Sequence, residues 1–445
     1  METSRPTSAG KKQGARDPLV TAKVRDLVCI GVLVLCVLAA GVWFAARSGA
    51  DYRIYSNDFN VYYFASRQIL SGHSPYDQRL GPWTPYIYPP LLAELIIPLA
   101  LLPVPVAAYI WYLLNVAALA VAAVLAARLV CPVIVVDGPA LASGHATMRG
   151  RLLTVAIAGA SPIVLSRFAL DSLAAGQVNA IITFLLIFHV HLYAKNRRGL
   201  SVLPLAFASV LKVVPVLFVF YHLLMGRIRY AIASASLIAL IGVLSFGMLG
   251  GQAASSARTF YEQTIENGQG YDLSFSGNQS LRGAQARLIG ESGDSVRKTS
   301  DLATSILSIG LFLLAAWSAR HITRSEAGRY NGEEDRGALE AASAVPFLCL
   351  MVIVSPLSWK NHFIILLLPV AALLARLAGA MRQNSRPLSL WRTPQALALL
   401  LLVAAFDLTS PLIIGKAAAE KADSASVVFA GALLLYFVLV ISNFR

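Results

Sequence analysis

Residues 105–129 read PVAAYIWYLLNVAALAVAAVLAARL, an apolar run whose single charge, Arg128, stands next to its end. A helix needs about twenty predominantly apolar residues to cross the hydrocarbon core of a bilayer, because its backbone must satisfy its own hydrogen bonds there. This run therefore predicts a membrane-spanning α-helix. Similar runs are Val24 to Ala46, Leu152 to Leu170, Leu173 to Ala194, Ala231 to Leu249, Leu302 to Ala319, Ala341 to Pro356, Phe363 to Ala380, Pro394 to Ile414 and Val427 to Ser442.

The composition of the whole chain agrees with these runs. Of its 445 residues, 57% are hydrophobic and only 13% charged, and the mean hydropathy is +0.65. We predict an all-α polytopic membrane protein that forms one domain over residues 1–445 and crosses the bilayer roughly ten to twelve times. The first run is long and is followed by further spans, so we expect a retained anchor and not a cleaved signal peptide.

Two segments depart from ordinary spans. Pro89 to Pro103 is short and flanked by proline, and Leu200 to Met225 carries Pro204, Lys212 and Pro215 in its interior. Broken helices of this kind are tolerated where they line a cavity or pack inside the protein. We predict a half-span for the first segment and a bent hairpin for the second.

The basic residues indicate the orientation of the chain. The formal net charge is +14, but these residues are spread over short loops and not gathered on one face, which argues against nucleic-acid binding. The positive-inside rule places residues 1–23 and both termini in the cytoplasm. Segments 47–88 and 250–301 then face outward. Long loops are often functional, so we expect the active site on the extracytoplasmic face of the plasma (inner) membrane.

The first outer segment contains an acid close to the end of the first span. Asp58 precedes an aromatic, amphipathic stretch that predicts an interfacial helix from Phe59 to Leu70. A carboxylate there can act as a general base on a hydroxyl group. The spacing alone leaves open the alternative that Asp58 only caps this helix. By the same pattern Tyr62 and Tyr63 also fit an ordinary aromatic belt.

Polar residues also stand at the edges and in the interior of later apolar runs. Gln177 and Asn179 follow Asp171, and such amides either join helices by hydrogen bonds or face a site. Lys212 lies in the middle of an apolar stretch. An intramembrane charge is costly when unpaired, so Lys212 indicates either a functional site or an internal ion pair.

A further polar stretch, Ser355 to His362, lies between two predicted spans at the outer face. Lys360 and His362 suit the binding of a phosphate group, although a plain polar turn has a similar composition. In the second outer loop Arg282 adds another cation, and Asn278 begins an N-glycosylation sequon.

Several motifs are missing from the sequence. There is no phosphate-binding loop of the Walker type, no dinucleotide-type glycine fingerprint and no G-x-S-x-G, so an enzyme acting on soluble nucleotides has no support. The cysteines show no C-x-x-C pair and no histidine at metal-ligand spacing, so we expect neither a metal cluster nor a disulfide framework. They are Cys29, Cys36, Cys131 and Cys349.

Taken together, these stretches resemble the polytopic GT-C glycosyltransferases, specifically glycosyltransferase family 87, with its polyprenyl-phosphate-mannose-dependent mannosyltransferases and arabinofuranosyltransferase relatives. The resemblance covers most of the chain and rests on the order and shared outer-face location of short pieces. The pieces are Asp58 with Tyr62-Tyr63, Gly72 with Pro75-Tyr76, Tyr88 to Leu91, Pro98-Leu99, Leu102-Pro103, Gly176 to Asn179, Leu211 to Pro215, Asn278 to Leu281 with Arg287, and Ser355-Pro356 with Trp359, His362 and Pro369.

The resemblance implies an inverting transferase that moves a sugar, with mannose the first choice, from a polyprenyl-phosphate donor to a hydroxyl of a glycolipid or cell-envelope glycan. Asp58 matches the family's catalytic acid and would serve as the general base. No cofactor and no metal ligand are expected. The family often has two histidines after the tryptophan, whereas this chain has Asn361-His362, which puts a role for position 361 in doubt.

The expected substrate contacts fall into two groups. We expect the donor phosphate to be bound by some of Lys212, Lys360, His362 and Arg282. We expect the acceptor and the sugar to contact Tyr62, Tyr63, Tyr88, Gln177, Asn179, Asn278 and Trp359.

Three alternatives stay open. The donor sugar could be arabinofuranose. A lipid or solute transporter or flippase would also need broken helices and buried charges, but such proteins usually show repeated halves, and no convincing internal repeat occurs here. An assembly subunit of an envelope complex would not depend on any one outer carboxylate.

Overall fold

The structure, a computed structural model, describes residues 18–50, 57–77, 85–135, 148–266, 272–290, 294–325, 333–383 and 393–443. Helices make up most of these ranges, and no extended strand occurs within them. The helices are α1 (Pro18–Ala50), α2 (Asp58–Leu70), α3 (Pro90–Ala100), α4 (Val104–Val135), α5 (Met148–Val164), α6 (Ser166–Ala174), α7 (Asn179–Ala194), α8 (Arg198–Leu211), α9 (Leu217–Leu224), α10 (Ile228–Met248), α11 (Ala253–Tyr261), α12 (Leu281–Ile289), α13 (Asp294–Ser325), α14 (Glu333–Ile353), α15 (Leu367–Gln383), α16 (Pro394–Val403), α17 (Pro411–Ile414), α18 (Lys416–Ser424) and α19 (Val427–Ser442).

The long apolar helices confirm a polytopic all-α membrane protein. Within the described ranges, four stretches are long and apolar enough to cross a bilayer: Val104–Cys131, Ile228–Met248, Thr299–Ser325 and Lys360–Met381. The number rises to six if each of two bent helix pairs, α5 with α6 and α18 with α19, counts as one span. The other apolar helices have 10–17 residues, so the expectation of ten to twelve crossings stays a prediction.

One predicted span is not straight. The run from Leu152 to Leu170 is divided at Leu165, where α5 and α6 meet at a bend of 66°. The start of α6 is stabilised by the carboxylate of Asp407, whose Oδ1 accepts hydrogen bonds from Ser166 Oγ (3.0 Å) and from the Arg167 backbone N–H (3.4 Å). A distant acid thus satisfies backbone and hydroxyl groups at the break.

Both irregular segments contain helix interruptions. The first holds the short helix α3, and its assignment as a half-span stays a prediction. In the second, predicted as a bent hairpin, α8 ends at Leu211, Lys212 is extended with φ −153° and ψ 125°, and a 3₁₀ turn at Val214–Val216 leads into α9. Proline has no backbone N–H to donate to the carbonyl four residues earlier, and its ring clashes with that carbonyl, so Pro215 ends α8 at Leu211.

The centre of the helical bundle is α4, which packs against α1, α5, α7, α14 and α15. Small residues cover much of its buried surface: Ala107, Ala108, Ala122 and Ala126 are fully buried. Small side chains allow neighbouring helices to approach closely, which supplies packing where lipid removes the hydrophobic driving force. The principal cavity is lined by α2, the end of α6 and α18, together with loop residues before α3 and after α8.

Candidate active site

A cavity of about 1130 Å³, called the main cavity here, lies between the start of α2, the break after α8, residues 357–362 and α18. Its wall combines acids, bases and aromatic groups. The polar and aromatic side chains that line it include Arg47, Asp58, Tyr88, Asp171, Gln177, Lys212, Trp359, Lys360, Asn361, His362, Glu420 and Asp423.

Asp58 is the first residue of α2, and its carboxylate lines the main cavity. The cap of this helix is formed by Asn57, whose Oδ1 accepts the Phe59 backbone N–H at 3.0 Å. Helix capping therefore does not account for the acid at position 58. Its backbone N–H donates to the carbonyl of Ala175 at 2.7 Å, and its Oδ2 accepts a hydrogen bond from Gln177 Nε2.

Burial raises the pKa of Asp58 to about 6, and the positive charge of Lys212 partly opposes this shift. Desolvation disfavours the charged form of a carboxyl group, whereas a nearby cation favours it. The result is a carboxylate that is ionised at neutral pH and basic enough to accept a proton.

The side-chain amide of Gln177 is held in one orientation. Its Oε1 lies 3.4 Å from both the Tyr62 and the Tyr88 hydroxyl groups, which donate to it, so its Nε2 is directed to Asp58. Tyr62 is fully buried behind the cavity wall, while Tyr88 lines it. Gln177 thus supports Asp58 directly, and Tyr62 supports it through Gln177, in addition to any contact with a substrate.

Gly176 allows the chain before Gln177 to approach the start of α2. It has φ +65°, and a Cβ there would meet Asn57 Oδ1 at 2.7 Å and the Cβ of Phe59 at 2.8 Å. The Trp111 indole N–H donates to the Gly176 carbonyl at 2.8 Å. Glycine is favoured at a left-handed, crowded position of this kind.

Lys212 faces the same cavity from the break between α8 and α9. Its Nζ donates to Asn179 Oδ1 at 2.8 Å and lies 2.9 Å from His362 Nε2. Because an ammonium group only donates, His362 accepts through Nε2 here. Asn179 is anchored in turn by Asn361, to whose backbone carbonyl its Nδ2 donates at 3.1 Å. Among the described residues, no carboxylate lies within 4 Å of the Lys212 ammonium.

Lys360 also lines the main cavity, but it is already bound to a carboxylate. Its Nζ lies 2.7 Å from Asp423 Oδ2, and Asp423 Oδ1 lies 3.3 Å from the guanidinium of Arg167. Asp423 and Arg167 are both buried. The ion pairs fix α18 against the wall formed by α6 and residue 360.

Arg282, expected near the donor phosphate, does not line the main cavity. Its Nε lies 2.7 Å from Asp301 Oδ1 and its NH1 donates to Ser300 Oγ at 2.9 Å. These contacts turn it toward a second cavity of about 840 Å³ between α9 and α13. The packing of α12 on α13 gives Arg282 this local acidic partner.

Of three other residues expected to contact the acceptor or the sugar, two do not line the main cavity and one does. Asn278 is fully buried and joins two loops, because its Nδ2 donates to the carbonyls of Leu273 and Pro356 at 3.2 and 3.1 Å. Its amide nitrogen is thus inaccessible for glycosylation in the folded chain. The Tyr63 hydroxyl donates to the Leu102 carbonyl at 2.7 Å. Trp359 does line the main cavity.

The cavity also has polar residues that the sequence did not single out. Arg47 comes from the last turn of α1, and Glu420 and Asp423 come from α18. The predicted topology does put the link between the last two apolar runs on the outer face. This link is short and was not singled out as a functional loop. Its position beside the cavity depends on the packing of the folded chain. In the described part of the chain, no three His, Cys, Asp or Glu side chains are close enough to hold a metal ion.

Comparison with known proteins gives a family match. The profile of glycosyltransferase family 87 matches residues 86–356, more than half of the chain. This match begins after Asp58 and ends before Lys360 and His362, so the roles of those residues depend on geometry.

Curated relatives extend the likeness over more of the chain. A protein of Mycolicibacterium smegmatis named polyprenol-phosphate-mannose-dependent alpha-(1-2)-phosphatidylinositol mannoside mannosyltransferase is 27% identical over 78% of this chain and 76% of its own length. A protein of the same name from Mycobacterium tuberculosis is 26% identical over 81% of this chain and 78% of its own. A Mycobacterium tuberculosis phosphatidylinositol pentamannoside mannosyltransferase, also named as polyprenol-phosphate-mannose-dependent, is 25% identical over 82% of this chain and 75% of its own.

Proposed function

Since the chain belongs to glycosyltransferase family 87, we propose that it transfers a mannosyl residue from a polyprenyl-phosphate donor to a hydroxyl group of a glycolipid on the outer face of the plasma membrane. The names of the relatives support mannose as the sugar, polyprenol phosphate as its carrier and a phosphatidylinositol mannoside as the kind of acceptor. A lipid-linked donor also fits a chain without a nucleotide-binding motif.

The observation that carries the proposal is the half-buried carboxylate of Asp58 at the wall of the main cavity, with Gln177 donating to one of its oxygens. A sugar hydroxyl is a poor nucleophile until its proton is removed in the transition state. In our proposal Asp58 accepts that proton. The acceptor oxygen then forms a bond to the anomeric carbon while the bond from that carbon to the phosphate oxygen breaks.

A single displacement of this kind inverts the anomeric configuration. The electron pair of the broken bond leaves on polyprenyl phosphate, whose negative charge therefore increases. Lys212 is the cation we assign to this charge: two of its three N–H groups are engaged by Asn179 and His362, and the third is available for a phosphate oxygen. In this arrangement His362 and Asn179 orient the lysine.

The remaining wall suits the acceptor. Glu420, Asp171 and the aromatic rings of Tyr88 and Trp359 also line the cavity. Carboxylates accept hydrogen bonds from sugar hydroxyls, and aromatic faces pack against sugar rings. We therefore assign this wall to the sugar portion of the glycolipid.

A donor panel tests the proposal. Purified protein in nanodiscs is given a mannosylated glycolipid and, in turn, polyprenyl-phosphate mannose, arabinofuranose or glucose, and the products are identified by mass spectrometry and NMR. We expect mannosyl transfer with inversion at the anomeric carbon. Transfer of arabinofuranose alone would replace the donor assignment, retention would exclude the single displacement, and movement of lipid without transfer would favour a transporter.

A further inference from the structure

A third cavity, of about 540 Å³, lies at the opposite end of α13 from Asp301, beside the C-terminal end of α9. One side of it is apolar and is formed by Leu224, Leu313, Ala316 and Trp317. The other side is basic and is formed chiefly by Arg320 and Arg324. We call it the arginine cavity.

The basic side concentrates positive charge. Arg320 and Arg324 are both exposed and stand four positions apart, which puts them on one face of α13. His321 also lines the cavity, and no acidic side chain does so among the residues that the structure describes. Like charges at this spacing destabilise a helix slightly. An anion bound between the two arginines would attract both and offset their repulsion.

The apolar side continues toward the bilayer interior. Leu224 and Leu313 line both the arginine cavity and the cavity between α9 and α13. The apolar stretch Thr299–Ser325 ends at the arginines, and Trp317, one turn earlier, has 60% of its surface exposed. A tryptophan followed by arginines at the end of a span is typical of the boundary between hydrocarbon and headgroups.

A ligand of this cavity therefore needs a negative group at the boundary and an apolar chain that points inward. A free inorganic anion would leave the apolar wall unused, and a zwitterionic phospholipid would bring a cation to the arginines. We propose that the arginine cavity is a binding site for a phospholipid with an anionic headgroup, with its phosphate at Arg320 and Arg324 and an acyl chain along Leu224, Leu313 and Trp317. Basic pockets between helices are known to suit such headgroups.

The test measures lipid binding to the full-length protein in detergent by native mass spectrometry. The probes are phosphatidylglycerol, phosphatidylcholine and soluble glycerol 3-phosphate. The test variant is Arg320→Gln with Arg324→Gln. The control is Lys195→Gln with Arg197→Gln, which removes the same charge from an exposed turn that does not line the cavity. Each arginine near a lipid phosphate contributes about 1 kcal/mol, so we expect the test variant to bind phosphatidylglycerol at least tenfold more weakly and the control to bind it normally.

Arg320 also donates to the Leu224 carbonyl at the end of α9, so the double variant could lose stability. The single variant Arg324→Gln keeps that hydrogen bond, and we expect it to weaken phosphatidylglycerol binding about fivefold. Equal losses in test and control variants, equal binding of phosphatidylcholine, or binding of glycerol 3-phosphate as tight as that of the lipid would each overturn the proposal. None of these results depends on sugar transfer.

Discussion

Asp58 is the residue on which the proposed chemistry depends most. Asp58→Asn keeps the size of the side chain but cannot accept the acceptor's proton, so we expect transfer to fall by about a hundred- to ten-thousand-fold. Asp77→Asn is the matched control, because Asp77 is an exposed acid of the same outer segment whose Oδ2 accepts the Ser74 N–H. Transfer assays with both variants, at equal donor binding, make the comparison. Near-normal turnover by Asp58→Asn would remove the acid from the mechanism.

The acidity of this group predicts a pH profile. A base must be ionised to act, and burial raises the pKa of Asp58 to about 6. We therefore expect kcat/KM to be level near neutral pH and to decrease about tenfold per unit below pH 6. A profile with no acid limb down to pH 4.5 would contradict the assignment.

Gln177→Leu extends the same experiment. The Gln177 amide stabilises the ionised form of Asp58, so its removal should raise the pKa of Asp58 and move the acid limb to higher pH. A substrate-binding role alone would raise KM and leave the limb in place. The two outcomes separate support of the base from contact with the sugar.

The effects of replacing Lys212 and Lys360 on donor binding can also be compared. A charge-assisted hydrogen bond contributes about 1.5–3 kcal/mol, so Lys212→Met should raise the donor KM by about ten- to a hundredfold. Lys360→Met should change it much less, because Lys360 is already bound to Asp423. Donor KM values for the two variants, with the acceptor saturating, provide the measurement. Equal effects would mean that both lysines bind the phosphate.

At the scale of elements, Gly176 connects the turn after α6 to the start of α2. Gly176→Ala would place a methyl group against Asn57 and Phe59 in a left-handed conformation, so we expect a loss of about 2 kcal/mol or more of stability. Gly159→Ala is the control, because nothing lies within 4 Å of an added Cβ there and alanine is better than glycine inside a helix. Thermal unfolding in nanodiscs should distinguish the two. A Gly176→Ala protein as stable as Gly159→Ala would show that the turn relaxes.

Local sequence signals predicted some elements well. The last run, Val427 to Ser442, has the same bounds as α19, because apolar length alone defines such a helix. The break at Lys212 also has a local cause in Pro215. The bend at Leu165 was missed, since the carboxylate that stabilises it, Asp407, is remote in sequence. The same limit applies to the site: Lys212 stands out from its apolar surroundings and Asp58 from its place before the aromatic helix, whereas the pairing of Lys360 with Asp423 and of Arg282 with Asp301 needs the folded chain.

At the scale of the whole molecule, the orientation in the membrane is the main prediction. In a cysteine-free background, Ser71→Cys and Ser274→Cys should react with an impermeant thiol reagent added to intact cells, and Gly199→Cys should react only after the inner face is opened. All three positions are exposed, so reactivity reports the side of the membrane. The reverse pattern would invert the topology and place the main cavity on the cytoplasmic side.

The ion pairs of Asp423 also bear on how the protein is made. A chain emerges from the ribosome with its N-terminal parts first, so Arg167 and Lys360 are synthesised before Asp423. A poorly hydrated charge without its partner is costly, so we expect these two cations to stay hydrated until Asp423 pairs with them. We therefore expect the wall of the main cavity to be completed late in biosynthesis, since a nascent chain that stalls before α18 carries the proposed base and phosphate ligand but lacks Glu420 and Asp423.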